Sequence, residues 1–377
     1  MNKTLLFKKL YLVALIVGII STASYPQNKK TPPPPVPMKE AMFYEKLPGG
    51  EEHENVVACK LCPRKCILKN GDTGYCQSRR NIGGKLYSLV YGKPVSIALD
   101  PIEKKPVFHA WPGSTSFSFA TAGCNLRCIH CQNYQIAHAK PETLKSYDLS
   151  PEEIVNEALK SGAKSISFTY NEPTVYYEYM LDIAKLARKR GLKTVWVTSG
   201  YINPEPLRLL ADYLDVARID LKGFSEDFYQ KLAGASCAPV LETLKIAKEK
   251  KLHIEVVNLI IPTYNDNPDE IKSMCVWIKE NLGADTPLHF TRFFPNYKLT
   301  NLPPTPVETL ERARKIARDA GLNFVYIGNV PGHEGENTYC PRCKKILIKR
   351  VGYTVVENNI INGRCKFCHR KIPGLWE

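Results

Sequence analysis

Thr121-Ala-Gly-Cys-Asn-Leu-Arg-Cys-Ile-His-Cys-Gln-Asn133 carries three cysteines in the spacing Cys124-x3-Cys128-x2-Cys131, and the next cysteine in the chain is Cys237. A structural zinc site takes four protein ligands and an electron-transfer [4Fe-4S] cluster takes four thiolates. Three thiolates on one tight loop therefore describe an incomplete site in which one metal is left open for an exchangeable ligand. The competing readings are a zinc loop completed by His130 or by a distant cysteine, and plain buried thiols.

Around this loop, from Phe117 to about Val330, short apolar runs alternate with amphipathic helical stretches. Strands are predicted at Ser116–Ala120, Ser165–Thr169, Thr194–Thr198, Val216–Asp220, Ile254–Ile260, Leu288–Phe293 and Asn323–Ile327. Ser150-Pro-Glu-Glu153, Asn267-Pro-Asp-Glu270 and Thr305-Pro-Val-Glu308 each offer a cap, a proline at the first helical position and a glutamate able to close a capping box. Such alternation predicts parallel β/α units, and the number of repeats predicts an α/β fold built as a full or partial TIM-like barrel.

Chemistry in such barrels sits at the C-terminal strand ends. The cysteine loop follows the first strand, Thr169-Tyr-Asn-Glu-Pro173 the second, Thr198-Ser-Gly200 the third and Asp220-Leu-Lys222 the fourth; Asn258, His289 with Arg292, and Asn329 go with the later ones. Each alone reads equally well as a turn or cap. Together they make a polar mouth suited to a zwitterionic, nucleoside-containing ligand.

Two further cysteine groups flank the barrel. Cys59, Cys62, Cys66 and Cys76 supply four ligands on a basic, glycine-bearing stretch, for zinc or an auxiliary iron-sulfur cluster. Cys340-x2-Cys343-x21-Cys365-x2-Cys368 is the paired-knuckle spacing of a zinc ribbon, with Ile346–Ile348 and Gly352–Val356 as strands of a sheet too slight to fold without its metal. Cys237 and Cys275 read as buried packing residues. The division that follows is a signal-like or anchor segment with linker at 1–37, a four-cysteine module at 38–110, the barrel at 111–332 and the metal ribbon at 333–377.

Composition narrows the class. The 377 residues are 44% apolar and 24% charged, which is ordinary for a globular protein, and all of the thirteen cysteines but Cys237 and Cys275 fall in groups whose C-x-x-C pairs suit metals in a reducing compartment rather than disulfides. The net charge of +15 raises the question of nucleic acid or an anionic membrane. However, residues 1–50 hold seven lysines against two glutamates, and the rest is spread over helices such as Ala184–Arg190, where a solvated face accounts for it. Residues 3–24 read as a secretory signal or short anchor, and Lys29–Pro37 as an extended linker. Export conflicts with an oxygen-sensitive cluster assembled in the cytosol, so the expectation is a cytoplasmic catalytic domain, with a membrane tether or secretion as alternatives.

Taken over Cys59-Lys-Leu-Cys-Pro-Arg-Lys-Cys66, Asp100-Pro-Ile-Glu-Lys-Lys-Pro106, the cysteine loop, Phe168-Thr-Tyr-Asn-Glu-Pro-Thr174, Asp220-Leu-Lys-Gly223, Tyr339-Cys-Pro-Arg-Cys343 and Ile372-Pro-Gly-Leu-Trp376, the chain resembles the radical S-adenosylmethionine (SAM) enzymes of the AmmeMemoRadiSam system. These are relatives of pyruvate formate-lyase-activating enzymes. The resemblance implies a site-differentiated [4Fe-4S] cluster on Cys124, Cys128 and Cys131 that holds SAM, reductive cleavage to a 5'-deoxyadenosyl radical, and hydrogen abstraction. It places Asn171, Glu172 and Pro173 against the SAM amino group and Thr198 and Ser199 along the methionine. Asp220 and Lys222 fall near its carboxylate and ribose, and His130 where an aromatic ring stacks by adenine. It implies an electron donor and a substrate that is either a glycyl residue of a partner protein or a metabolite handled with Memo-type and AMMECR-type proteins. An RNA-modifying radical SAM enzyme and a non-enzymatic metal-dependent scaffold are the alternative functions.

Overall fold

The computed structural model describes residues 38–48 and 55–377; the readings made of residues 1–37 lie outside them. Among the described residues no helix is long and apolar enough to cross a membrane. The centre is an 8-stranded sheet of β1 (Ser96–Pro101), β2 (Thr115–Ala120), β3 (Ser165–Phe168), β4 (Lys193–Thr198), β5 (Val216–Asp220), β6 (His253–Ile260), β7 (Leu288–Arg292) and β8 (Val325–Gly328). Neighbours in space are neighbours in sequence. Pairing is parallel from β2 to β8, in registers such as Thr198 beside Ile219 and Asp220 beside Val257. β1 runs antiparallel on β2, and β1 and β8 end the sheet, which makes the barrel partial.

β1 was not foreseen. It moves the start of the sheet ahead of position 111, because the expected boundary at 110 falls inside the connection between two hydrogen-bonded strands.

The crossovers are α1 (Pro151–Lys160), α2 (Tyr177–Lys189), α3 (Pro204–Ala211), α4 (Ala238–Glu249), α5 (Pro268–Asn281) and α6 (Val307–Asp319). Ser150 caps α1 in a full capping box with Glu153, satisfying two otherwise orphaned amides. Asn267 caps α5, but Glu270 turns away from the box and accepts from the Phe224 amide at 3.0 Å. At α6 the expected cap is absent: the Thr305 hydroxyl donates to the Ile260 carbonyl at 2.5 Å and accepts from the Phe293 amide, tying β6 to β7.

From β2 to β8 both faces of the sheet are largely buried, so these strands lack the polar-out alternation of a half-exposed sheet. In β3, all four residues of Ser-Ile-Ser-Phe are buried. Ser165 and Ser167 hydrogen-bond the Ser116 hydroxyl at 2.9 and 2.6 Å, while Ile166 and Phe168 join the main apolar core.

The C-terminal unit, with strands β9 (Thr338–Tyr339), β10 (Ile346–Val351) and β11 (Thr354–Asn358), packs on the N-terminal end of the sheet. A small separate core joins Leu347, Ile348 and Ile372 to Phe108, Phe324 and Tyr326. The fully buried Arg350 lies over the Phe108 ring at 4.1 Å and donates to the Phe108 carbonyl.

Candidate functional site

The cysteine loop leaves β2 at Ala120 and is held by backbone bonds from Arg127 to Ala233 and from Ile129 to Leu232, both 2.9 Å. Gly123 has φ +96°, and a Cβ there would come within 2.1 Å of the Ser78 hydroxyl and 2.4 Å of the Cys76 carbonyl. Only glycine fits a left-handed turn pressed this closely on another segment. Burial pushes up the thiols of Cys124, Cys128 and Cys131, Cys128 to about 11 against the pull of the Lys222 ammonium. Three buried thiolates thus require a cationic centre to stay ionised.

Three of the expected cofactor contacts, Glu172, Thr198 and Ser199, form one network. The Glu172 carboxylate accepts from the Thr198 hydroxyl at 2.7 Å, from the Ser199 amide and hydroxyl at 2.8 and 2.6 Å, and from Thr174 at 2.7 Å. With both oxygens occupied, it fixes the ends of β3 and β4 relative to each other, and Pro173 starts the short helical turn behind it. Asn171 donates to the Thr121 and Gly123 carbonyls, both 2.7 Å, bracing the loop, while its Oδ1 has no partner. Asp220 receives Lys222 at 3.0 Å and also pairs with Arg218. Burial alone would raise the Asp220 carboxyl, but these two cations hold it low. Burial likewise opposes the Lys222 charge, yet Asp220 and Cys128 hold its ammonium above the ordinary lysine range. His130 is buried, its Nδ1 has no partner, and burial with the Lys222 charge pushes it down to about 3.

His289 does not belong to this group. It is the second residue of β7, at the N-terminal end of the strand, where its Nε2 meets Glu255 at 2.7 Å and its ring stacks on Tyr326. There Glu255 also accepts from the Phe108 and His109 amides, plugging the base of the sheet. Arg292 at the other end of β7 donates to the Thr305 carbonyl, and Asn258 and Asn329 donate to the Leu221 and Arg292 carbonyls.

Arg218 and Tyr170 were not singled out from sequence. Arg218 and Asp220, two residues apart on one strand, share a face, which is the signal that would have found the pair. Tyr170, at φ +68°, donates to Asp100 at 2.5 Å, and the Asp100 carboxylate is ion-paired to Lys105 and Lys104.

Among the described residues, only the C-terminal quartet of sulfurs meets the geometry of one ion: Cys340, Cys343, Cys365 and Cys368 lie within 4.8 Å of one another. Cys340 is 3.5 Å from Cys368 and Cys343 3.7 Å from Cys365, close to the edge of a zinc-sulfur tetrahedron, about 3.8 Å for a 2.3 Å bond. The loop cysteines do not crowd in this way, as a multi-iron cluster with one thiolate per iron requires. The orphaned Oδ1 of Asn171 and Nδ1 of His130 beside them are buried groups that a polar ligand would satisfy. The residues present therefore fit the cluster and its SAM ligand.

A three-cysteine loop at the C-terminal edge of a parallel partial barrel, lined by an Asp-Lys pair, defines a radical SAM protein, and residues 119–278 match the Radical SAM superfamily. The chain is 50% identical over 337 residues to an uncharacterized protein of Methanocaldococcus jannaschii, covering 89% of this chain and 99% of that one, and it belongs to the same family as that protein. More distantly, it is 21% identical over 222 residues to the pyruvate formate-lyase 1-activating enzyme of Escherichia coli, covering 54% of this chain and 89% of that enzyme. It is 26% identical over 167 residues to the pyruvate formate-lyase-activating enzyme of Clostridium pasteurianum, covering 42% and 66%.

Proposed function

We propose that this chain is a hydrogen-abstracting radical SAM enzyme of the activase type that acts on a polypeptide partner, within the AmmeMemoRadiSam grouping its motifs resemble. The observation that carries this reading is the single polar edge that holds the three-cysteine loop, with Cys128 and Cys131 near Lys222 and its partner Asp220, beside the unpaired Oδ1 of Asn171. When bound, the cluster and SAM supply a 5'-deoxyadenosyl radical that takes hydrogen from the substrate.

The chain's own residues divide the remaining work. The three cysteines hold the cluster. Asn171 Oδ1 is an acceptor for the SAM ammonium, and the Lys222 ammonium is a counter-charge for its carboxylate. Glu172 positions Thr198 and Ser199 rather than touching the ligand, since both its oxygens are engaged. His130 closes the mouth as a neutral, stackable ring. A polypeptide target is favoured by the distant kinship with activating enzymes and by a sheet whose edges, β1 and β8, do not pair. RNA modification loses its main support, because the metal ribbon packs at the opposite end of the strands from the mouth.

The test is anaerobic reconstitution of the full chain with iron and sulfide, reduction in the presence of SAM, and measurement of 5'-deoxyadenosine. It is run alone, with size-separated cell fractions, and with Memo-type and AMMECR-type proteins. Protease-sensitive stimulation by the macromolecular fraction is expected. Stimulation by small molecules would transfer the reading to a metabolite, and RNase-sensitive stimulation to RNA. A loaded cluster that yields no 5'-deoxyadenosine under any condition would overturn the assignment.

A further inference from the structure

We infer that Cys59, Cys62, Cys66 and Cys76 hold a second [4Fe-4S] cluster, seated against the back of the radical loop. The four thiols converge on one internal space that they share with Arg64, Arg79 and Asn125. The backbone that carries them is paired: Cys59 ends the strand Val57–Cys59, and its amide bonds the Cys66 carbonyl at 2.9 Å.

The distances separate this quartet from a zinc site. Four thiolates on one zinc sit about 3.8 Å apart, as the C-terminal quartet does. Among the described residues, no three sulfurs of the N-terminal quartet fall within 4.8 Å of one another. In a cubane each thiolate takes a different iron, which spreads the sulfurs to roughly 6 Å. Four cysteines that line one space without closing on one point depart from the first geometry and leave room for the second.

The surroundings supply what such a cluster needs. The Tyr75 amide donates to Cys66 Sγ at 3.5 Å, and Arg79 approaches Cys59 Sγ at 3.8 Å; donors to sulfur raise the potential of a cluster. Arg79 is 1% exposed and ion-paired to Glu178, yet its Nε has no partner. A buried guanidinium with an unused donor beside four thiols points to an anionic occupant.

The same residues join the two sites. Asn125, the neighbour of Cys124, lines the N-terminal space. Arg64 donates to the Asn125 carbonyl at 2.7 Å, Ser78 to the Ala122 carbonyl at 3.0 Å, and the Gly123 backbone touches Cys76. Given the radical SAM reading, this shared wall makes the second cluster a one-electron relay. A low-potential one-electron carrier protein reduces it from the 2+ to the 1+ state, and the same electron passes to the cluster on Cys124, Cys128 and Cys131. No bond in the protein forms or breaks, and no proton moves.

The experiment uses the full chain reconstituted anaerobically, with iron, sulfide and zinc counted per chain and the reduced protein examined by electron paramagnetic resonance and Mössbauer spectroscopy with and without SAM. Wild type is expected to hold about eight irons and about one zinc, with SAM perturbing only half of the cluster signal. The C124A/C128A/C131A variant keeps about four irons that ignore SAM, and Cys62→Ser with Cys76→Ser loses about four while the SAM-responsive signal stays. About four irons and two zincs in wild type would overturn the inference, and so would a folded triple variant without iron. The wild-type count decides even where a variant fails to fold. Eight irons without any response to SAM would uphold the second cluster and remove the radical reading instead.

Discussion

The N-terminal and C-terminal cysteine quartets share a residue type and differ in almost everything that surrounds it. The C-terminal four close on a point, inside a core of their own that includes Cys340, Leu347, Ile348 and Cys365. The N-terminal four surround a space, and the residues between them, Leu61 and Leu68, belong to the main core together with Val57 and Leu86. One quartet sits in a small module with few apolar residues, where a bound metal would contribute to the fold, whereas the other lies in a segment already held by apolar burial. The two also mark opposite ends of the sheet, the closed site at the base with His289 and Glu255, and the open one at the mouth with Cys124 and Asn125.

Removing a ligand from the closed site tests this contrast most severely. A structural metal such as zinc in modules of this kind contributes about 10 kcal/mol or more of apparent folding free energy, so with a metal bound at the quartet Cys340→Ser should release it and unfold residues beyond 333. The readout is zinc per chain, proteolytic cleavage in the tail and a lowered Tm. Iron at the mouth should remain, since none of its ligands shares the ribbon's core. Joint loss of zinc and iron would break the distinction between the two ends.

Arg350→Ala is the next largest. Its guanidinium donates to the Thr338 hydroxyl and the Phe108 carbonyl, both at 2.9 Å, and faces Glu103 at 3.7 Å with both side chains fully buried. Breaking such a pair leaves a buried charge without compensation and costs about 3–5 kcal/mol. Denaturant unfolding should show that loss while the iron-sulfur absorbance of the folded protein is unchanged. A cost under about 1 kcal/mol would mean that the ribbon is docked by the apolar contacts alone.

The base should also be sensitive to acid. His109 accepts from the Tyr326 hydroxyl at 2.6 Å and donates Nδ1–H to the Pro373 carbonyl at 2.7 Å, so a neutral ring satisfies both. Burial, opposed by nearby Glu255 and assisted by His253 and Arg350, pushes it down to about 3. Its folded value lies below the unfolded one, so the unfolded chain binds the extra proton first and stability falls as pH drops below about 6.5, by up to roughly 1.4 kcal/mol per unit. The fall levels off below the folded value. Unfolding free energies at pH 7 and pH 5 should differ by less in His109→Gln than in wild type, and equal differences would assign the acid sensitivity to other groups such as the C-terminal cysteine quartet.

The mouth was more legible in the sequence than the base, for a geometric reason. The strands from β2 to β8 lie within about two residues of their expected bounds, because each is an apolar run bracketed by turn or cap signals, and the cysteine loop, Asn171, Glu172, Thr198, Asp220 and Lys222 follow strand ends in the sequence. A strand climbs about 3.3 Å per residue, so His289 and Arg292, close in sequence, reach opposite ends of the sheet; treating β7 as one unit put His289 at the wrong one. The partnership of Glu255 with His253, His289 and the amides of residues 108 and 109 spans contacts that no local pattern reports. β1 was lost because Ser-Ile-Ala-Leu-Asp-Pro is half-exposed and ends in proline, a pattern of edge strands that reads as a loop. Glu172 was found, but its role was not: only the distances show that its oxygens are already taken by Thr174, Thr198 and Ser199.

The smallest effect separates a ligand-facing charge from the scaffold behind it. Lys222 reaches Asp220 at 3.0 Å and acts electrostatically on Cys128, while Arg218 remains to neutralise Asp220 without it. Lys222→Met should therefore leave the fold and the iron content intact and weaken SAM binding about 10- to 100-fold, or about 1.4–3 kcal/mol, the range for a charged hydrogen bond. The measurement is the SAM concentration that gives half of the spectral change of the reduced cluster. Glu172→Gln should act differently, because the amide cannot accept all the donors that Thr198 and Ser199 present, and its loss should appear in stability as well as in affinity. If Lys222→Met instead lowers stability and leaves the SAM response unchanged, the lysine belongs with Glu172 as a brace of the mouth, and the counter-charge for the ligand must be sought in Arg218.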